Sequence, residues 1–342
     1  MSDSAEPLRV GLIGLGWHGA SHLSHFTAYP RARVAALCDL DAERLAEHHK
    51  RAPDAQAFAD YRGLLACEDV DAVVIALPDP LHAEPALAAC QAGKHVLLEK
   101  PMALTVADAE AIASAAGQAG RCFMLNLSNR WMLPFVRGRE LVDSGGVGEV
   151  RYVFARLANR IDVLTEHLPW LQQSHLAHWI GIHRLDIARW WIGREAVRVR
   201  AVERRGVLDA MGYDAADFYQ ATVEFDGGAV LSLEGSWILP RTFPSMVDSR
   251  FYAVCTRGLI DVDRMRSELA VATADDFQMA TPTAGSALGQ QTGFTYSAAC
   301  HFVDCALDGR EPLVTARDGL ALTRILCAIV RSCQEDGAVI DL

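Results

Sequence analysis

The sequence predicts an α/β fold in which an N-terminal doubly wound parallel sheet is followed by an α/β domain built on a mostly antiparallel sheet. Three observations predict this order. Strands alternate with helices over the first 127 residues, a glycine-rich turn joins the first strand to the first helix, and strand-and-turn patterns dominate residues 197–263. A chain of 342 residues suits two domains, which we place at 1–127 and 128–342.

The first domain is predicted from short apolar runs that alternate with helical segments. Residues 8–14 are rich in Val, Ile and Leu and end on glycine, which is typical of a strand buried on both faces of a parallel sheet. Pro30 and Gly93 follow two of the helical segments and mark their ends. The predicted strands cover residues 8–14, 33–38, 70–77, 95–98 and 122–127, and the predicted helices cover 17–29, 41–49, 84–92 and 105–117.

The pattern changes after residue 127. Asp226-Gly227-Gly228 separates two alternating segments, 220–225 and 229–234, and this spacing indicates a β-hairpin. The segment 273–291 is rich in Ala, Thr and Gly and is predicted to be a loop. A further strand is predicted at 150–157, and helices are predicted at 130–144, 181–192, 297–308 and 319–336.

Composition excludes several classes of function. The formal charge of −11 repels phosphate backbones, so we expect no nucleic-acid partner. No apolar stretch is long enough to cross a bilayer, and residues 1–7 lack the pattern of a secretory signal, so we expect no membrane partner. The nine cysteines include no Cys-x-x-Cys pair, which favours a reducing cytoplasm and neither a disulfide framework nor a metal site.

A dinucleotide-binding turn is predicted at Gly14-Leu15-Gly16-Trp17-His18-Gly19, between the first strand and the first helix. Gly14 permits the tight turn, Gly16 lets the backbone approach a pyrophosphate, and Gly19 lets the helix pack on the strand. The unpaired amides at the helix N-terminus, including those of Trp17 and His18, would meet the phosphates. The alternative is a plain tight turn without a ligand.

Asp39 ends the second strand, about 20 residues after Gly19, where an acidic side chain accepts hydrogen bonds from the adenosine ribose. A carboxylate there would repel a 2′-phosphate, so NAD is favoured over NADP. The alternative for Asp39 is the N-cap of the following helix, and Asp41 could share that role.

The loops that follow the third and fourth strands reach the same edge of the sheet, where ligands bind in such folds. Leu77, Pro78 and His82 are therefore predicted to contact the cofactor, although a rigid loop without ligand contact is the alternative.

Glu99 and Lys100 stand before Pro101 on the second of these loops. Lys100 would lie beside the nicotinamide, where it can hydrogen-bond the reacting oxygen and stabilise developing alkoxide charge. A surface lysine is the alternative.

Taken together, these motifs resemble the glucose-fructose oxidoreductase / inositol dehydrogenase / rhizopine-catabolism (Gfo/Idh/MocA) family. The resemblance covers nearly the whole chain and includes the last helical segment, residues 302–332. Its motifs are the glycine turn, Pro78-x-x-x-His82, Gly93-Lys94-His95-Val96, Glu99-Lys100-Pro101, Arg130-x-x-x-Pro134, Gly146-Val147-Gly148-Glu149-Val150 and Gly181-Ile182-His183-x-x-Asp186-x-x-Arg189-Trp190.

The resemblance implies a Rossmann domain followed by an α/β domain with a large open sheet. In such enzymes that sheet usually makes the oligomer contact, so a homodimer or homotetramer is expected. It also implies hydride transfer between NAD(P) and a sugar or cyclitol hydroxyl. Lys100 and His183 would be the catalytic pair, with His183 taking the hydroxyl proton.

One position departs from the family pattern. The family commonly has an aspartate four residues before the catalytic histidine, whereas this chain has Trp179. Tryptophan cannot accept a proton or orient an imidazole as a carboxylate does. His183 therefore works alone, or His178, His175 or Asp186 substitutes, or the chemistry has changed.

The resemblance also implies substrate contacts. Arg130 matches a family position near the substrate, although a structural ion pair is an equal alternative. Aromatic faces stack on sugar rings, but core packing explains buried tryptophans equally well. The predicted substrate residues are Arg130, Trp131, Trp170, His178, Trp179 and Trp237.

Three functions follow from these observations. The first is an NAD-dependent dehydrogenase or reductase acting on a secondary hydroxyl or ketone of a sugar, glycoside or cyclitol. The second is glycoside cleavage by transient oxidation and elimination, without net redox change. The third is a non-catalytic ligand sensor on the same fold. The substrate, the direction of the reaction and the oligomer size do not follow from the sequence.

Overall fold

A computed structural model describes residues 6–264 and 290–342, together with the backbone of three short strands between them. Most of the predicted loop at 273–291 lies outside the described residues. The chain divides into two compact units. The first comprises Met1–Ser128 and Thr283–Leu320, and the second comprises Asn129–Pro282 and Ala321–Leu342.

The strands and helices are numbered in chain order. The strands are β1 (Leu8–Ile13), β2 (Ala32–Cys38), β3 (Gln56–Phe58), β4 (Ala72–Ile75), β5 (His95–Glu99), β6 (Phe123–Asn126), β7 (Val150–Arg160), β8 (Ala196–Arg204), β9 (Phe218–Phe225), β10 (Val230–Leu239), β11 (Val247–Cys255), β12 (Leu259–Asp263), β13 (Ala270–Ala272), β14 (Phe277–Met279), β15 (Gly285–Ala287), β16 (Gln290–Thr292) and β17 (Ile340–Asp341). The helices are α1 (Trp17–Ala28), α2 (Ala42–His49), α3 (Tyr61–Leu65), α4 (Ala83–Gln91), α5 (Val106–Ala119), α6 (Leu133–Asp143), α7 (Ile182–Ile192), α8 (Val207–Ala210), α9 (Phe294–Asp308) and α10 (Ala316–Gln334).

The first unit contains a six-stranded sheet in the order β3-β2-β1-β4-β5-β6, and every neighbouring pair is parallel. The predicted parallel sheet is therefore confirmed. The strand order reverses between β1 and β4, and ligands bind at such a switch point, outside the carboxyl ends of the strands. Strand β3 was not predicted, because three residues are too few to show a period.

Helix α9 belongs to the first unit, although the two-domain interpretation placed its residues with 128–342. The hydroxyl of Tyr29 donates to Asp304 at 2.7 Å. The guanidinium of Arg31 pairs with both Asp304 and Asp308. Residues 283–320 thus return to the first unit, and neither the helical period nor the composition of that segment shows which unit it packs against.

The second unit contains a seven-stranded sheet in the order β12-β11-β7-β10-β9-β8-β17. Only β7 and β10 are parallel neighbours, and the other pairs are antiparallel. The predicted mostly antiparallel sheet and the β9–β10 hairpin are therefore confirmed. Helices α6 and α7 place Phe135 and Trp191 against Phe251 of β11, with ring centroids 5.6 and 5.0 Å away.

Within the described residues, no helix is both long enough and apolar enough to cross a membrane.

Candidate functional site

The glycine turn has the geometry that its three glycines predict. Gly14 has a φ of +88°, and a Cβ there would lie 2.4 Å from the carbonyl oxygen of Ala76. A Cβ on Gly19 would lie 2.0 Å from the carbonyl oxygen of Gly14, so any side chain would separate α1 from the turn. A Cβ on Gly16 would meet nothing within 4 Å. The backbone at Gly16 therefore faces open space, as an approaching pyrophosphate requires.

Helix α1 begins immediately after this turn. Its N-cap residue is Gly16, no side chain caps its first amides, and its first turn contains no acidic residue. Trp17 and His18 at that end are exposed. The positive end of the helix dipole favours an anion at this position.

Asp39 ends β2 beside the glycine turn and is buried. Its Oδ2 accepts a hydrogen bond from the backbone N–H of Leu15 at 2.8 Å, and its Oδ1 accepts one from the N–H of Asp41 at 2.9 Å. The N-cap of α2 is Asp41, which accepts from the amides of Glu43 and Arg44. The structure thus assigns the N-cap to Asp41, and the contact of Asp39 with a ribose stays a prediction.

An arginine that the sequence interpretation overlooked also reaches Asp39. Nη1 of Arg44 donates to both carboxylate oxygens of Asp39, at 3.2 and 3.3 Å, and Nη2 donates to Asp41 at 3.1 Å. Arg44 lies in the first turn of α2, five residues after Asp39, and this turn directs its charge back to the end of β2.

His82 connects the loops that follow β4 and β5. The ring is fully buried. Its Nδ1 lies 2.6 Å from the carbonyl oxygen of Pro101, and its Nε2 lies 2.9 Å from that of Leu77. Both ring nitrogens are therefore used by the backbone, so His82 supports the loops and does not present a ring atom to a ligand. Leu77 and Pro78 are half-buried on the same loop.

Lys100 is only 4% exposed, which removes the alternative of a surface lysine. Burial lowers the pKa of its ammonium group, while the nearby carboxylates of Asp79 and Glu99 act in the opposite direction. A desolvated lysine at the edge where ligands bind is suited to donate a hydrogen bond to a reacting oxygen.

The neighbouring carboxylate of Glu99 is fixed by two residues that the sequence interpretation missed. Oε1 of Glu99 lies 2.8 Å from Nε2 of His22, and it accepts a hydrogen bond from Nδ2 of Asn126 at 2.7 Å. Burial alone would raise the pKa of Glu99, but the charges of His18 and His22 and these hydrogen bonds hold it well below its usual range. The lowered pKa favours the carboxylate form of Glu99, whose Oε2 also accepts a hydrogen bond from the backbone N–H of Lys100.

His183 lies in the first turn of α7, in the second unit, and is half-buried. A π-helical turn, Ala177–Gly181, precedes it and contains both His178 and Trp179. Trp179 packs edge-on against Trp170, with ring centroids 5.5 Å apart at 89°. Trp179 is 9% exposed and Trp170 is half-buried, so this pair has a packing role and keeps part of one face accessible.

The residues considered as substitutes for the missing carboxylate are engaged elsewhere or uncharged. Nε2 of His175 lies 2.7 Å from Glu203, and its Nδ1 accepts the N–H of Ala177. Burial, reinforced by the nearby His175, lowers the pKa of His178 to about 3, so its ring is neutral. Asp186 forms an ion pair with Arg130. None of these groups supplies a carboxylate in the way the family's aspartate does.

Arg130 is 3% exposed and Asp186 is 1% exposed. Nε of Arg130 donates to both carboxylate oxygens of Asp186, at 3.2 and 3.0 Å, and Nη2 donates to Oδ1 at 2.7 Å. These contacts favour the structural ion pair, because a buried bidentate pair leaves the guanidinium with its charge already balanced, and the substrate contact of Arg130 stays a prediction.

The other predicted substrate residues differ in their burial. Trp237 is 1% exposed, which favours core packing, and its contact with a substrate stays a prediction. His178 is 4% exposed, and neither of its ring nitrogens has a hydrogen-bond partner. Trp131 is half-buried.

One cluster in the second unit has metal-ligand chemistry. His175, Glu203 and Cys333 place one ligand atom each within 4.8 Å of one another. A histidine binds a metal through a nitrogen lone pair, but Nδ1 of His175 uses its lone pair on Ala177, so Nε2 carries the proton that Glu203 accepts. This hydrogen-bond arrangement disfavours metal binding by His175. That the protein binds no metal stays a prediction.

Comparisons with known proteins place these features in a family. A family model described as "Oxidoreductase family, NAD-binding Rossmann fold" matches residues 8–127, and one described as "GFO/IDH/MocA C-terminal domain" matches residues 135–261. Inositol 2-dehydrogenase 2 of Saccharopolyspora erythraea is 33% identical over 230 residues, which cover 66% of this chain and 66% of that protein. The match thus spans just under two thirds of that relative's length.

Two further comparisons extend over nearly the whole chain. D-apiose dehydrogenase of Paraburkholderia graminis is 27% identical over 356 aligned residues, covering 99% of this chain and 91% of that protein. The crystal structure of scyllo-inositol dehydrogenase from Lactobacillus casei with bound cofactor NAD(H) and scyllo-inositol matches with a TM-score of 0.85. It covers 98% of this chain and 99% of that one at 20% identity, which shows a shared fold.

Proposed function

The chain belongs to the Gfo/Idh/MocA family of oxidoreductases, and from that premise we propose that it transfers a hydride between NAD and a secondary hydroxyl or ketone of a sugar, glycoside or cyclitol. The names of its relatives, dehydrogenases of inositol and of apiose, support this substrate class. The observation that carries the proposal is the burial of Lys100 at the carboxyl edge of the parallel sheet, one residue after a carboxylate fixed by His22 and Asn126.

The residues of the first unit fit NAD. The open backbone at Gly16 and the N-terminus of α1 suit the pyrophosphate, and the carboxylate of Asp39 suits the ribose hydroxyls. When bound, NAD supplies the carbon that accepts or gives up the hydride. Leu77 and Pro78 complete the proposed edge of this site.

Lys100 has the task of stabilising charge on the reacting oxygen. The oxygen acquires alkoxide character as the hydroxyl proton is removed, or as hydride adds to the ketone in the reverse direction, and a desolvated ammonium group lowers the energy of that charge more than water does. The fixed anion of Glu99 holds the backbone of Lys100, because the Lys100 N–H donates to Oε2 of Glu99 at 3.3 Å.

His183 has the task of taking the hydroxyl proton. An imidazole titrates in the range useful for that step, and the first turn of α7 holds it half-buried. Since His175 and Asp186 have other partners, we assign the proton to His183 without a carboxylate relay. Trp131, Trp170 and Trp179 are the proposed aromatic contacts of the sugar ring.

The proposal is tested by incubating purified protein with NAD and a panel of polyols, aldoses and glycosides, and by following NADH absorbance. A substrate should yield NADH in proportion to the ketone formed. A panel that includes inositols, pentoses and glucosides but produces no NADH, in a protein that binds NAD, would contradict the proposal.

Glycoside cleavage without net redox change stays the second candidate, and the observation that favours it is Trp179 at the position of the family's aspartate. In that reaction the sugar is oxidised and reduced again within one turnover, so aglycone is released while NADH does not accumulate. Simultaneous measurement of aglycone and NADH separates the two. NADH formed without aglycone favours the dehydrogenase, and aglycone in large excess over NADH favours cleavage.

Cofactor choice provides a sharper prediction about Asp39 and Arg44. Asp39→Asn should keep an oxygen for the Leu15 amide but remove the charge that repels a 2′-phosphate. Nη1 of Arg44 then loses its charged partner and becomes available to that phosphate, while Nη2 keeps its contact with Asp41. Because a hydrogen bond to a charged group contributes about 1.5–3 kcal/mol, we expect the NAD/NADP preference to fall by about 10- to 100-fold. Titration calorimetry with both cofactors measures it.

The control for this prediction is the double variant Asp39→Asn/Arg44→Gln. It should lose the gained NADP affinity, because no cation is left beside the ribose. An unchanged NAD/NADP ratio in Asp39→Asn would contradict the assignment of Asp39 to the ribose.

We also propose a homodimer or homotetramer formed through the outer face of the seven-stranded sheet. Tyr152, Phe218 and Val254 are exposed apolar side chains on its strands, between 38% and 40% exposed. Arg156 pairs with Glu234 and Asp248 on the same sheet. Light scattering of the purified protein measures the mass. The cytoplasmic location stays part of the proposal, supported by cysteines that form no disulfide in the described residues.

A further inference from the structure

Arg184 is an arginine in the interior of the second unit. It lies on α7 and is 1% exposed. Its Nε donates to Oγ of Ser249 on β11 at 2.9 Å, and its guanidinium lies 4.9 Å from the centroid of the Phe135 ring. Its Nη1 is buried and has no hydrogen-bond partner. No carboxylate of the described residues pairs with this cation.

A second arginine reaches the same place. Arg264 follows β12, and its backbone N–H donates to the carbonyl oxygen of Ser249 at 3.0 Å. Ser249 therefore contacts Arg184 through its hydroxyl and Arg264 through its carbonyl. Nε of Arg264 is also buried without a partner. Burial, reinforced by the charge of Arg264, lowers the pKa of Arg184 to about 9.

A buried cation, Arg184, beside a half-buried one, Arg264, with no anion paired to either among the described residues, is physically unfavourable. Buried charges are almost always paired with an opposite charge. In the same unit, for example, the buried Arg130 pairs with Asp186. Arginine does not escape the cost by losing its proton. The two orphaned N–H groups, Arg184 Nη1 and Arg264 Nε, each also lack the acceptor that a buried donor requires.

We propose that Arg184 and Arg264 form a binding site for a compact anion, of the chloride or small-oxyanion class, inside the second unit. The anion accepts hydrogen bonds from the two orphaned donors and balances the two charges. The ring of Phe135 and the backbone of Ser249 bound the site, so it favours a compact ion over a bulky one. Because the site joins α7 to β11, its occupant stabilises the fold of this unit.

The proposal is tested by thermal unfolding of the whole protein in sodium chloride and in sodium phosphate. Each is compared with sodium HEPES of equal ionic strength, whose anion is too bulky for the site. Linkage predicts that wild-type Tm rises by about 3 °C for each tenfold increase of the compact anion above its dissociation constant. The ³⁵Cl linewidth of a chloride solution should also broaden on addition of the protein and narrow again with phosphate.

Arg264→Gln isolates the site. This variant should lose the response to chloride and phosphate, and in HEPES it should be at least as stable as wild type, because one of two repelling charges is gone. The matched control is Arg151→Gln, which removes an exposed arginine of β7 that donates to the carbonyl oxygen of Gly227. It should keep the response of wild type.

Either of two results would overturn the proposal. One is a wild-type Tm and ³⁵Cl linewidth that do not depend on which anion is present, which would mean that the protein balances these charges itself. The other is an Arg264→Gln variant that responds to chloride as wild type does. The linewidth measurement needs no variant, so it decides the matter even if Arg264→Gln does not fold.

Discussion

Lys100→Met is expected to lower kcat/KM about 10²- to 10³-fold while the affinity for NAD stays within a few-fold of wild type. The loss has the size found when one donor to a developing oxyanion is removed. Methionine keeps most of the buried length of the side chain, so the loop between Glu99 and Pro101 should keep its packing. Steady-state kinetics on a substrate found in the NADH screen, together with calorimetric titration of NAD, measure the two quantities.

Two control variants show whether the ammonium group itself is responsible. Lys94→Met removes a half-buried lysine of the same unit whose Nζ donates to the carbonyl oxygens of Cys67 and Val70, and it should leave kcat/KM near wild type. Lys100→Arg keeps a positive charge but places it on a larger, planar group, so its kcat/KM should lie between those of Lys100→Met and wild type. Full turnover by Lys100→Met would remove Lys100 from the mechanism.

The same lysine should set the alkaline limb of the pH profile. Burial lowers the pKa of Lys100 below its ordinary value of 10.5, and only the charged form stabilises an alkoxide. Activity should therefore fall as pH rises through this lowered pKa, at a pH below 10.5. In Lys100→Arg the charge persists to higher pH, so the alkaline limb should move upward. If the alkaline limb of Lys100→Arg lies at the same pH as that of wild type, the limb reports the titration of another group.

Asp186→Asn is expected to lower the free energy of unfolding by about 3–5 kcal/mol, because it leaves the guanidinium of Arg130 buried without its counter-charge. Denaturation by urea, followed by tryptophan fluorescence and by far-UV circular dichroism, measures the loss. Asp143→Asn is the matched control, since its partner Arg139 lies at the surface of the same unit. Exposed pairs contribute about 0–1 kcal/mol, so this control should be near wild type.

The double variant Arg130→Met/Asp186→Leu separates an ion pair from a substrate contact. Replacing both partners by apolar side chains should recover much of the stability that Asp186→Asn loses. A folded double variant should also keep the wild-type KM for the sugar, because Arg130 contacts Asp186. A KM raised tenfold or more in a stable double variant would restore the substrate role to Arg130.

The sequence by itself determined the parallel sheet, the β9–β10 hairpin and the glycine turn. Each of these features depends on residues close together in the chain. Hydrophobic periodicity, turn-forming residues and the positive φ that requires glycine at position 14 are all local properties of the sequence. Asp39 and Asp41 were also identified as a pair with two roles, and the structure assigned the N-cap to Asp41.

Only the tertiary structure decided which charged and polar side chains meet. Arg130 and Asp186 are 56 residues apart and His22 and Glu99 are 77 apart, so no local pattern shows that they pair. No local pattern shows that Ser249 contacts both Arg184 and Arg264. No local pattern shows that α9 packs in the first unit either. Burial then determines the protonation state of each of these groups. A charge removed from water has a pKa that depends on the charges and hydrogen-bond partners that the fold places beside it.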